Sequence, residues 1–161
     1  MHGVLIPACN PPGFSIVMSS IRVTALCAAF LSCLALGSAG AAEPTGTWLT
    51  QKGDAHIRIA PCGPALCGTI VWTRDKVDPR TGRPPVDSSN PDPRKRHRRI
   101  VGLRIFAMRP HGRDGWTGPI YNADDGQTYA GKLIPRGAGT LEVRGCAGVI
   151  CGSETWRRIA R

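Results

Sequence analysis

The chain has 161 residues, with 21 Lys and Arg against 11 Asp and Glu, for a formal net charge of +10. That length suits one domain after removal of a leader. Its longest apolar run, Val23 to Leu36, is about 14 residues and too short to favour a membrane span of ~20, so no transmembrane span is expected in the mature form.

The run opens a recognisable export signal. Met18-Ser-Ser-Ile-Arg22 is a short, positively charged start, and Ala39-Gly40-Ala41 closes the apolar stretch with the small-x-small pattern of a cleavage site. Residues 18–42 therefore read as a signal peptide. Residues 1–17, with Pro7, Pro11, Pro12 and Cys9, read as an extension upstream of the true start at Met18. Phe30-Leu31-Ser32-Cys33 faintly resembles a lipoprotein cleavage box, but apolar residues continue past Cys33. The expected destination is the periplasm or the exterior. Without Arg22, residues 43–161 keep 20 basic against 11 acidic side chains, a net charge of about +9. Such a chain is drawn to anionic surfaces. Export argues against nucleic acid as the partner.

No long stretch of the mature part carries a 3.6-residue apolar period. Strand signals recur instead, separated by turn residues. Gly46 to Thr50 is the first. His56-Ile57-Arg58-Ile59 alternates, so Ile57 and Ile59 face inward. Thr69 to Trp72 is the third. Arg74 to Arg99 breaks the rhythm with Pro79, Pro84, Pro85, Pro91 and Pro93, and Asp92-Pro93 predicts an N-capped helical turn or two over Pro93 to Arg98. A connection this long is functional or mobile and has the reach to cap one end of a barrel. Ile100 to Met108, Trp116 to Tyr121, Thr128 to Ile134, Leu141 to Arg144 and Ser153 to Ile159 complete eight strands. Asp125-Gly126 marks a hairpin turn between the fifth and sixth. Eight short antiparallel strands predict an all-β, closed up-and-down barrel, which leaves no sheet edge exposed.

Four cysteines remain in the mature part, as two C-x4-C pairs, and four cysteines allow three connectivities. Local bridges, Cys62–Cys67 and Cys146–Cys151, suit two hairpins in an oxidising compartment. Zinc is the alternative, but it favours C-x2-C spacing and reduced thiols.

These residues carry a resemblance. The series Gly46-x-Trp48, Pro61-Cys62-Gly63, Leu66-Cys67-Gly68-x-Ile70-Val71-Trp72, Asn90-Pro91-Asp92-Pro93, Gly102-Leu103, Gly115-Trp116, Ile120-Tyr121-Asn122, Asp125-Gly126-x-Thr128-Tyr129 and Thr155-Trp156 resembles the bacterial exported family called domain of unknown function 2147. The match spans nearly all of residues 45–160. It implies a calycin, a lipocalin-like eight-stranded barrel with a central cavity, that binds rather than catalyses. It further implies that Trp48 on the first strand packs against an Arg of the last, Arg157, or Arg158 if the register moves by one. The basic run Arg94 to Arg99 and the pair Cys146 and Cys151 depart from the family pattern, so the resemblance says nothing of that pairing.

Candidate sites follow from the residue types. Trp72, Leu103, Ile105, Trp116, Tyr121 and Tyr129 are expected either to line a ligand cavity or to fill the core of a small barrel. Arg94, Arg96, Arg98 and Arg99 are expected at the mouth, where Arg forks would hold an anionic group; their alternative is a solvated loop. Enzyme chemistry has thin support. The mature histidines, His56, His97 and His111, have no metal spacing, and Asp124 and Asp125 read as turn residues. No metal or cofactor is expected. Two functions fit: a monomeric barrel holding a small amphipathic or lipid-like ligand, or an envelope protein without a cavity that docks an anionic surface through the basic connection.

Overall fold

The computed structural model describes residues 43–113 and 115–160. The expected leader, 18–42, and the extension before it lie outside the described residues. The strands are β1 (Gly46–Leu49), β2 (Ala55–Cys62), β3 (Ala65–Thr73), β4 (Arg104–His111), β5 (Gly115–Asn122), β6 (Gln127–Pro135), β7 (Thr140–Ala147) and β8 (Ile150–Ala160). Each pairs antiparallel with the next and β8 pairs back to β1, a closed up-and-down barrel as expected. None of the helices among the described residues is long and apolar enough to cross a membrane.

The antiparallel order sorts the connections to two ends. One end, the base, collects the turns β2–β3, β4–β5 and β6–β7 together with the start of the chain at Glu43 and Pro44. The other, the mouth, collects β1–β2, β5–β6, β7–β8 and the long β3–β4 connection. The Cys62–Cys67 disulfide staples a base turn, and Cys146–Cys151 staples a mouth turn. Both local pairings are those expected, and they leave no thiolate at these cysteines for zinc.

The base is filled. Trp48, Met108, Leu133 and Leu141 point inward and are fully buried. Inward-facing Gly131 leaves the space Met108 occupies, since a Cβ there would lie 2.5 Å from Met108 Cε. Arg158 caps this packing, with its guanidinium carbon 4.3 Å from the Trp48 ring centroid. It donates to the carbonyls of Glu43, Thr45 and Ala138, while the Trp48 indole donates to Pro44 O at 2.7 Å. The stacked residue is therefore Arg158 and not Arg157. Register decides it: Trp48 pairs with Arg158, whereas Arg157 stands opposite Leu49, with a shift between Thr47 and Trp48.

The β3–β4 connection is packed rather than loose. Its expected helix is shorter than Pro93 to Arg98, a 3-10 turn over Pro93–Lys95 capped by Asp92, which accepts from the Arg94 amide. The expected strand from Ile100 also starts later, at Arg104, because Gly102 has a φ of 97° and Leu103 N bonds back to Ile100 O. At the centre of the connection lies Asp87, fully buried. It accepts from the Tyr121 hydroxyl, from Asn90 Nδ2 at 2.9 Å and from Arg98 at 2.7 Å. These bonds tie the connection to β5 at the mouth. Gly126 completes the contact. Its φ is 74°, and a Cβ there would strike Ser89 O at 1.9 Å.

Candidate ligand-binding cavity

The packing that fills the base does not continue to the mouth. Above it lies a cavity of about 710 Å3. Its wall is aliphatic, formed by Ile57, Ile70, Ile105, Ile120 and Val143, with Pro85 and Ile100 contributed by the connection. The strands place these residues by alternation. On β7, Leu141, Val143, Gly145 and Ala147 share the inward face; Leu141 is buried in the base, and the other three line the cavity. Inward-facing Ala147 and Ile150 are exposed, as are Lys52, Asp75 and Asp124 at the rim, so the cavity opens at the mouth.

Of the six aromatic and aliphatic residues expected at a cavity, Ile105, Tyr121 and Tyr129 line it. Trp72, Leu103 and Trp116 do not. Trp72 stacks on His56, with ring centroids 4.2 Å apart and Lys76 Nζ 4.4 Å from its ring centroid. Its register explains this. Ile57 pairs with Ile70 but His56 pairs with Trp72, so an irregularity spanning Val71 turns Trp72 to the outward face of His56. Trp116 pairs with buried Leu133 and packs on the core near the base. Leu103 is buried where the connection returns to β3, with Ile70 N donating to its carbonyl at 3.0 Å.

Both tyrosines line the cavity, and their hydroxyls are committed to neighbouring side chains. Tyr121 bonds Asp87 and Asn90, and burial together with the Asp87 carboxylate raises its pKa above the ordinary phenol value. Tyr129 donates to Asp125 at 2.7 Å, and that bond raises its pKa as well.

The basic run does not line the cavity. Arg94 and Lys95 pair with Asp92, Arg98 pairs with Asp87, and Arg96 Nε donates to Asn90 O at 2.7 Å. Arg98 and Arg99 border a separate surface groove with Val101 and Leu103. The expected arginine forks at the mouth are thus spent largely on the connection's own carboxylates and carbonyls. The cavity's charged residues are different ones: Asp54, Asp75, Asp124, Glu154 and Lys52. Glu154 is the least foreseen. It shares the inward face of β8 with buried Trp156, whose indole donates to its carboxylate at 3.1 Å. Among the described residues no cluster of three His, Cys, Asp or Glu is disposed to hold a metal.

The barrel, its cavity and its sequence define a lipocalin-like fold. The chain belongs to the family described as an uncharacterized protein conserved in bacteria (DUF2147), whose model matches residues 46–158. Among solved structures it is similar to protein HP1028 of Helicobacter pylori, a member of the lipocalin family. The two share 20% identity with a TM-score of 0.61 over 73% of this chain and 83% of that one, a likeness of fold. None of the curated proteins matches the chain.

Proposed function

We propose that this protein is exported to the periplasm or exterior and holds a small amphipathic or lipid-like ligand in the mouth half of its barrel. The single observation that carries this reading is the isoleucine-walled cavity of about 710 Å3 opening at the mouth. That volume lies within the range of small-molecule sites, which are mostly apolar with a few placed polar groups. An apolar wall left to water is unfavourable by ~25 cal/mol for each Å2, and a ligand's chain relieves that. Two disulfides fit an oxidising compartment, as does the signal read over residues 18–42. Binding is favoured over catalysis because the polar groups of the lining are already engaged by neighbours: Tyr121 and Tyr129 by carboxylates, Asp54 by Thr50 and Glu154 by Trp156.

The docking alternative expects a filled barrel and binding that weakens steeply with salt. The cavity speaks against the first, and the pairs Arg94–Asp92, Lys95–Asp92 and Arg98–Asp87 leave the connection fewer unpaired cations for an anionic surface.

Native mass spectrometry of the protein purified from cells that export it tests the reading. The expected result is a reproducible non-covalent adduct that mild organic solvent releases. A bare protein that also fails to take up the neutral probe N-phenyl-1-naphthylamine would contradict it.

A further inference from the structure

The charges lining the cavity run against those of the chain. The sequence holds 21 Lys and Arg against 11 Asp and Glu. Yet among the described residues the lining takes four carboxylates, Asp54, Asp75, Asp124 and Glu154, and one cation, Lys52. None of the four is in an ion pair among the described residues. Asp54 accepts from Thr50 Oγ1 at 2.5 Å and Glu154 from Trp156 Nε1 at 3.1 Å. Elsewhere the same protein pairs its carboxylates with arginine, at Asp78, Asp87, Asp92 and Glu142.

Glu154 weighs most because it belongs to the wall and not the rim. It is half-buried on a strand, opposite Val143 in the β7–β8 register, and it lines the same cavity as the isoleucines. A half-buried carboxylate has lost part of its hydration, and a cation beside it would offset that loss. Among the described residues no Lys or Arg forms an ion pair with it, and Lys52 is the one cation among the residues that line the cavity. Trp156, Tyr121 and Tyr129 are among the residues that line the same cavity, and aromatic faces attract organic cations through their quadrupoles.

We infer that the cavity takes an amphipathic organic cation, an amine or ammonium group on an apolar body, with its charge directed to Glu154 and Trp156. The carboxylates at the rim then favour entry of cations over fatty acids. This inference rests on the proposed ligand-holding role and narrows its ligand class, away from the acidic head that the basic connection first suggested.

The test uses N-phenyl-1-naphthylamine as a neutral reporter, displaced by decyltrimethylammonium, decanoate or decanol below their micelle concentrations. The expected order is decyltrimethylammonium first, at least tenfold tighter than decanoate. Glu154→Gln is expected to cut that preference at least threefold while leaving decanol unchanged. Equal or tighter decanoate binding in the parent protein would overturn the inference and leave the ligand-holding role standing. An unchanged preference in Glu154→Gln, folded by circular dichroism, would also overturn the assignment to Glu154. Should that variant fail to fold, the salt dependence of the parent decides: decyltrimethylammonium must weaken with salt and decanol must not. Failure of the reporter to bind at all would contradict the ligand-holding role itself.

Discussion

The two halves of this barrel use the same alternating strands to opposite ends. At the base, inward positions carry Trp48, Met108, Leu133 and Leu141, and Gly131 gives way to Met108. At the mouth, many inward positions carry aliphatic or small residues, among them Ile120, Val143, Gly145, Ala147 and Gly152, and a cavity remains between them. One end is shut by Arg158 on Trp48, and the other is bordered by a connection tied down through Asp87. A barrel of eight strands can either fill or hold one ligand. Here the base is packed and the mouth leaves space.

The comparison is broken most severely at the base. Trp48→Ala removes a fully buried indole, its bond to Pro44 and the platform under Arg158. A loss of about 3–5 kcal/mol is expected in urea unfolding, with any probe site lost only through unfolding. At the mouth, Asp87→Ala leaves Arg98, Asn90 and Tyr121 without their shared acceptor. Its expected cost is about 3 kcal/mol, accompanied by faster amide exchange over residues 85–103 than over the base. Equal acceleration at both ends would contradict the separate roles of the two halves. The smallest effect belongs to the outer surface. Glu142 is held below its ordinary value of 4.5 by its bonds to Arg136 and Arg144. A lowered carboxylate pKa contributes stability above the ordinary value and loses it as pH falls through the folded one. Glu142→Gln is expected to lower stability at pH 7 by less than about 1 kcal/mol, because the pair is solvent-screened. The gap to the parent should start to narrow in melts taken below pH 4.5 and close only below the folded value.

How far such a comparison could be read from the chain itself depended on the range of the interactions. Ile57 and Ile59 alternate with polar neighbours, and both are inward and buried. The Asp125-Gly126 turn and the two C-x4-C hairpins are likewise local, and all stand where expected. Trp72 was not legible, because one residue absorbed at an irregularity moves it to the outer face and leaves no trace in the spacing. Arg158 differs from Arg157 by one step of register, which is set by pairing with a strand over a hundred residues away. Asp87 and Asn90 were missed as a unit because Tyr121, their partner, is more than thirty residues on. The signal for Asn90 lay in Asn90-Pro91-Asp92-Pro93, a segment too polar for a strand and yet part of the family series. Glu154 was within reach, since an inward Trp156 places the residue two before it on the same face.

The central claim, an open cavity above a filled base, is tested most directly by Gly145→Phe. Gly145 lines the cavity with ordinary backbone angles, and a Cβ there would make normal contact with Tyr129 at 3.4 Å. A phenyl ring at that position therefore enters the void without clashing at its root. Titration of N-phenyl-1-naphthylamine should give saturable binding to the parent and at least tenfold weaker binding to Gly145→Phe, with the melting temperature of the free protein held or raised. Equal binding by both proteins, or none by the parent, would contradict the account.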